Sequence, residues 1–437
     1  MAGGGASGAA ALVDANNGYM DVALWQGVMV THSIVASSMP RFSNYAMVET
    51  EVPVEYSQNI WTTSTLKFDP SGLGDFWGDT KILFALPAIQ RNSSAGALWG
   101  RGNDAYWVNN FGYAAIQELD LLVGQQVAIT AIADDLFDWY QNHHPNAALP
   151  IDVDIGRYIK ECQLKRAAQC NQVLSVPLMM SVFRAQRTDR HFPLLRFFNQ
   201  SVHLQLQLRS LQNVTVNEGA LSLVPYKYGT TTPVANADVG VRLFSTFLIM
   251  NTDERNALAM RATRHIVLQS QTMQQVSTDA AGRLVTIQPT FNHTCRSLRV
   301  FFLPDKYIDG STRSPNGVGL KNYFDYTASH GGESGCDINL KFNSTAVIDN
   351  QVPPVILRSN IWAANYLKPN YGSKYLIPFQ RRLLSDDLNH GVNFSGIDKV
   401  AIEVRKNVGD SGTFFVQTDN VNLIATVNGY GGVPFSG

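Results

Sequence analysis

The sequence is poor in charge. Asp, Glu, Lys and Arg make up 16% of its 437 residues, against the ~25% usual for soluble domains. The 34 basic and 35 acidic residues leave a formal net charge of −1. A chain that neutralises a phosphate backbone carries a basic excess or patch. Here only Arg381-Arg382 and Lys165-Arg166 stand together, so no specific nucleic-acid binding is expected. Cysteine is scarce as well. Cys162, Cys170, Cys295 and Cys336 are too few for a disulfide scaffold and form no C-x-x-C pair. They read as reduced thiols, with a Cys295–Cys336 bridge left open. No run approaches 18 apolar residues, so no spanning helix is expected. The Ala/Gly-rich opening lacks the basic and apolar regions of a secretory leader.

Compact catalytic constellations are also missing. There is no G-x-S-x-G elbow and no phosphate-cradling loop with its lysine. His143-His144, with Asp138 nearby, have no third ligand at metal-site spacing. Asp152 and Asp154 lack the glycine and final glutamate of a calcium loop, and Asp154 reads as a helix cap. The expectation is a chain with no catalytic residue, no metal and no cofactor, hence not an enzyme. Its work would lie in its shape and interfaces.

What the chain does have is alternation. Val202-His203-Leu204-Gln205-Leu206-Gln207-Leu208 has a strict period of two, the pattern of a strand with one buried face. Val202, Leu204, Leu206 and Leu208 should face a core. Similar bursts fall near 47–55, 80–90, 116–123 and 174–183. A second series falls near 240–250, 265–276, 283–290, 297–303, 374–380, 398–405, 413–417 and 421–427. A helix is expected over Ala133–His143, with Leu136, Trp139 and Tyr140 on one face and Asp134 and Asp135 in its first turn. A second should follow Asp154, its stripe being Ile155, Tyr158, Ile159 and Cys162. The Pro/Gly/Thr-rich run 225–238 reads as linker or a long inter-strand excursion, and the polar run 305–336 as a long exposed loop. The fold class is therefore all-β, in two strand-rich halves with loop and short-helix insertions; eight or so strands per half is the count of two consecutive eight-stranded jelly-roll β-sandwiches, and period alone does not separate these from another sandwich. The divisions are a flexible N-terminal arm at 1–20, a first roll at 21–215, a linker at 216–238 and a second roll at 239–437.

Several segments, in order, resemble a known family. Trp107-Val108-Asn109-Asn110-Phe111-Gly112-Tyr113 runs on to a strand ending at Gly124-Gln125, where the family's turn has two glycines. Val176-Pro177-Leu178, Phe192-Pro193-Leu194-Leu195 and Phe247 to Arg255 follow. Phe291-Asn292-His293 and Asn393-Phe394-Ser395-Gly396-Ile397-Asp398 are the most telling, together with Asn428-Gly429-Tyr430-Gly431-Gly432-Val433-Pro434-Phe435-Ser436. This set resembles the double jelly-roll major capsid protein of nucleocytoplasmic large DNA viruses. The resemblance implies homotrimers of pseudo-hexagonal outline that tile an icosahedral virion shell. It implies as partners the neighbouring capsomers, minor capsid proteins and an internal viral membrane near the N-terminal arm, with assembly in the host cytoplasm. Gly124, Gln125, Asn292, His293, Asn393, Phe394, Ser395, Ile397, Asp398, Gly431 and Gly432 would be structural motif residues that fix strand register. Among six Asn-x-Ser/Thr sequons, Asn92 and Asn343 lie in loop-like contexts and are the candidates for glycosylation. Two alternatives stand beside this reading. One is a carbohydrate-binding or glycan-cleaving sandwich that uses Trp99, Tyr106, Trp107, Tyr323, Phe324 and Tyr326 as exposed stacking residues. The other is a minor capsid protein of similar fold.

Overall fold

The computed structural model describes residues 45–54, 65–92, 105–143, 152–183, 191–218, 222–259, 263–277, 284–310, 320–326, 336–349, 356–357, 374–380, 391–406 and 410–433. The arm expected at 1–20, Trp99 and His144 lie outside them.

Sixteen strands form two sandwiches. In the first half these are β1 (Tyr45–Val52), β2 (Thr65–Phe68), β3 (Phe76–Leu86), β4 (Ile116–Val123), β5 (Gln126–Ile132), β6 (Gln172–Pro177), β7 (Val202–Leu208) and β8 (Gly240–Met250). They pair as the sheets β1-β8-β3-β6 and β2-β7-β4-β5. In the second half they are β9 (Thr263–Ser277), β10 (Leu284–Ile287), β11 (Thr294–Pro304), β12 (Cys336–Phe342), β13 (Thr345–Ile348), β14 (Lys374–Pro378), β15 (Val400–Lys406) and β16 (Gly412–Val427). Their sheets are β9-β16-β11-β14 and β10-β15-β12-β13. Counted from the first strand of each half, both halves have the order 1-8-3-6 facing 2-7-4-5. This is a jelly roll made twice, all pairings being antiparallel.

Alternation drives the packing. In β7 every second side chain is buried, starting with Val202, and the three between are half-buried. Leu206 lies between Leu66 of β2 and Leu119 of β4 in register. The second roll has its own core of Leu298, Val300, Phe302, Ile338, Leu340, Ile402, Val404, Phe414 and Val416. The first core is larger and takes in Val267, Tyr323, Phe324, Ile424 and Val433 from the second half. The two rolls therefore share apolar packing across their boundary.

Two expectations need correction. Strand 240–250 does not open the second roll. It is β8, hydrogen-bonded to β1 and β3, so the first roll ends at Met250. The connection between rolls is the helix Thr252–Ala259, not 216–238. The run read as linker is an excursion of the first roll, where Tyr226–Lys227 pair with Ile89–Gln90 and Val234 is buried. Alternation reports that a segment is a strand but not which sheet receives it. The second correction concerns the helix after Asp154. Gly156, at φ +76°, closes a single 3-10 turn at Val153–Ile155. Helix α2 begins only at Glu161 and ends at Ala167, with Leu164 as its buried residue. Ile159 and Cys162 are exposed, so the stripe proposed for them is not an interior face.

Candidate functional site

For a chain built as two rolls, the residues that fix one roll against the other are the functional centre. Helix α1 (Ala133–His143) leaves β5 and lays Leu136, Phe137, Trp139 and Tyr140 into the first core. Its opposite side carries Asp134, Asp135 and Asp138, all buried. The second roll answers with charge. Arg299 of β11 donates to Asp135 at 2.7 Å, to Asp138 at 3.3 Å and to Asp419 of β16 at 2.7 Å. Lys374, the first residue of β14, donates to both oxygens of Asp138 at 2.9 Å. Its Nζ also sits 4.6 Å from the Phe301 ring centre and 4.4 Å from that of Tyr326, a cation–π arrangement. Tyr326 Oη donates to Asp134.

Four carboxyls thus gather round Arg299 and Lys374 in a buried boundary. Asp134 is the member that accepts from Tyr326. Burial raises its pKa from the ordinary 3.8, against the lowering effects of nearby Lys374 and the Tyr326 hydrogen bond. The folded chain then holds this proton more firmly than the unfolded chain. Its contribution to stability is greatest below pH 3.8, falls as pH rises to the raised folded value, and is constant above it. Asp134→Asn keeps an acceptor for Tyr326 and cannot ionise. It should flatten that part of the stability profile and leave the fold at least as stable at pH 7, which thermal unfolding between pH 3 and 7 measures. A steeper profile in the variant would contradict the assignment.

The segment 305–336 is the main departure from the sequence expectation. Its described parts are not an exposed loop. Tyr307, Lys321, Tyr323, Phe324 and Tyr326 are all buried. Tyr323 Oη donates to the Asn213 carbonyl at 3.0 Å, and Phe324 packs on Phe137 at 4.5 Å between ring centres. Lys321 Nζ donates to the carbonyls of Gln212 and Thr215, and desolvation lowers its pKa to about 8. A run rich in turn residues thus supplies an aromatic wedge to the first roll. Tyr106 and Trp107 are buried too. The described residues named for sugar stacking, Tyr106, Trp107, Tyr323, Phe324 and Tyr326, are all interior.

The motif residues converge in two places. Gly124, at φ +63°, starts the β4–β5 turn, and a Cβ there would lie 2.4 Å from Gln200 Nε2. Gln200 Oε1 accepts from the Gly431 amide at 2.8 Å. Gln126, one residue past Gln125, holds Val433 through two bonds of 3.2 Å. A Cβ on Gly431 would press the Phe197 ring at 2.3 Å, and one on Gly432 would press Gln126 Oε1 at 2.8 Å. The hairpin after β16 is thereby clasped to the first roll, and at Gly431, against the Phe197 ring, the approach leaves no room for a Cβ.

The second group closes the far end of the other roll. His293, at φ +66°, donates its amide to Ser395 Oγ at 2.8 Å, and its carbonyl accepts from the Phe394 amide at 3.0 Å. Asn393 Oδ1 accepts from the Ser395 amide, and the Asn292 amide donates to Gln271 Oε1. Phe394 stacks edge-on to Phe291, with Ile397 packed nearby. Asp398 is exposed. Cys295 lies under this staple as a free, buried thiol, its pKa pushed up to about 12 mainly by burial. Of the two sequon positions, Asn92 is buried with its Nδ2 donating to the Val224 carbonyl, which removes it as a glycan acceptor in this fold. Asn343 is exposed in the β12–β13 turn, at φ +49°.

Comparison with known proteins agrees with this architecture. Residues 33–247 match the family model described as "Major capsid protein N-terminus". The match ends inside β8, the last strand of the first roll. No curated protein matches the chain. Among solved structures, the capsid of the virus PBCV-1 superposes with a TM-score of 0.68 at 14% identity, covering 93% of this chain and 100% of that one. The Faustovirus major capsid protein gives 0.60 at 10% identity, covering 96% and 98%. The Sputnik virophage structure gives 0.55 at 8% identity, covering 94% and 92%. The major capsid protein family is thus matched over the first roll, and the doubled roll of these capsid proteins is shared along nearly the whole chain, which supports a structural capsid role.

Proposed function

We propose that this structural capsid protein builds its shell as homotrimers of pseudo-hexagonal outline. The observation that carries this reading is the repeated strand order of the two rolls. Three copies of two like units place six like units about one axis, so a three-fold assembly acquires a nearly six-fold rim that packs without gaps. The junction of Arg299, Lys374 and the four aspartates gives each chain one fixed roll-to-roll geometry. Its buried ion pairs add little net stability over apolar packing, and their value lies in admitting a single arrangement. Scarce surface charge supports close packing of copies, since little like-charge repulsion must be overcome. The role is structural rather than catalytic.

Native mass spectrometry of the purified chain tests the reading. A trimer that persists at micromolar concentration is expected, with a permanent interface of roughly 2,000–5,000 Å². A stable monomer under those conditions counts against it. Beyond the trimer we propose neighbouring capsomers, minor capsid proteins and an internal viral membrane as partners, with assembly in the host cytoplasm. Family resemblance supports these. Cross-linking within intact particles tests them, and particles in which the chain links only to itself would refute the minor-protein and membrane contacts. A minor capsid role would appear instead as sparse occupancy at special positions of the particle.

A further inference from the structure

The two rolls repeat one topology, so their equivalent edge strands can be compared directly. β1 and β9 each open a roll and each lie at the outer edge of the sheet 1-8-3-6. β1 is guarded by charge. Glu49 faces Lys81, and Glu51 faces Arg242, each at 3.8 Å. Exposed edges are commonly protected this way, because their unpaired backbone groups otherwise recruit another strand. β9 is 15 residues long and lacks this protection. From Ile266 to Ser277 it reads Ile-Val-Leu-Gln-Ser-Gln-Thr-Met-Gln-Gln-Val-Ser, with no charge, proline or glycine. Among the described residues its only ladder partner is β16. The first part of its free edge is covered, since Gln269 Nε2 donates to the Ala128 carbonyl of β5. From Gln271 onward no described strand pairs with this edge; Gln271 Oε1 accepts from the Asn292 amide, and Gln274, Gln275 and Val276 are exposed.

We propose that the 271–277 edge of β9 pairs antiparallel with the same edge of a second copy of this chain. Self-pairing of this segment opposes no like charges, whereas self-pairing of β1 would bring glutamates together. Seven residues of ladder span roughly 24 Å at ~3.4 Å per residue, longer than a typical strand. Symmetry says which copy is meant. Antiparallel pairing of one edge with itself is a two-fold, isologous contact. It cannot close a three-fold ring, so it joins chains of separate trimers. The inference therefore rests on the trimeric capsid reading and adds to it the surface through which capsomers meet.

The test uses two full-length variants, Gln274→Lys/Val276→Lys and Gln274→Glu/Val276→Glu, in sedimentation velocity beside the wild type. All the substituted positions are exposed, and thermal unfolding confirms that each variant is folded. The wild type should show trimers and paired trimers. Each variant alone should keep the trimer and lose pairing by about tenfold or more, because like charges oppose across the ladder. An equimolar mixture of the two variants should restore pairing, which a merely damaged strand could not do. Unchanged pairing in the variants, loss without rescue in the mixture, or a wild type that never passes the trimer would each overturn the edge contact while leaving the trimer standing. A monomeric wild type would overturn the trimeric reading as well.

Discussion

Arg299→Ala should destabilise the chain by about 3–5 kcal/mol, the cost of leaving buried charge unpaired. Arg299 bridges three carboxylates from two elements, Asp135 and Asp138 of α1 and Asp419 of β16. Its removal leaves Asp135 and Asp419 without the bonds just described, in a boundary that solvent scarcely reaches. Lys374 still holds Asp138, so the damage should be local to the roll boundary. Hydrogen exchange would show it as early opening of α1 and β16 ahead of β12 and β15. Chemical denaturation gives the magnitude. A loss under 1 kcal/mol, or uniform loosening of both rolls, would mean that the ion cluster does not hold the junction.

Leu206→Asp should be more severe, at roughly 5 kcal/mol or more. Truncating a buried leucine costs about 2–5 kcal/mol, and an unpaired carboxylate in an apolar site adds a further penalty. Leu206 has no solvent exposure and is flanked by Leu66 and Leu119. A domain stable by about 5–15 kcal/mol would be largely unfolded, visible as loss of soluble protein. Gln205→Lys is the control. It lies one residue away on the opposite face, half-buried, opposite Asp120 and Lys67. Its effect should stay within about 0.5 kcal/mol. Equal effects at both positions would refute the register.

These two residues mark the limits of reading the sequence alone. The face of β7 was legible because one sheet buries one side, and a period of two has a single interpretation there. α1 was legible through Leu136, Trp139 and Tyr140, but its aspartates looked like ordinary first-turn acids. Their partners lie more than 150 residues away, a distance no local pattern spans. A signal existed: Arg299 stands alone in Leu298-Arg299-Val300-Phe301-Phe302-Leu303, and a charge inside so apolar a strand needs a buried counter-charge. Segment 320–326 misled because turn-forming residues also surround aromatics that dock into a neighbour. The boundary at 216–238 misled because a jelly roll returns its last strand to the middle of its first sheet. Local composition cannot show that return. The Phe-Asn-His and Asn-Phe-Ser segments are 102 residues apart in sequence and meet through the bond from the His293 amide to Ser395 Oγ.

The most direct test of the account is a cryo-EM reconstruction of particles or assemblies formed by this chain. It should show capsomers with six lobes, built from three chains, each chain supplying two adjacent lobes of one strand order joined through α1, β11 and β16. Capsomers whose six lobes come from six chains, or a chain whose two rolls sit apart without the Arg299 junction, would contradict it.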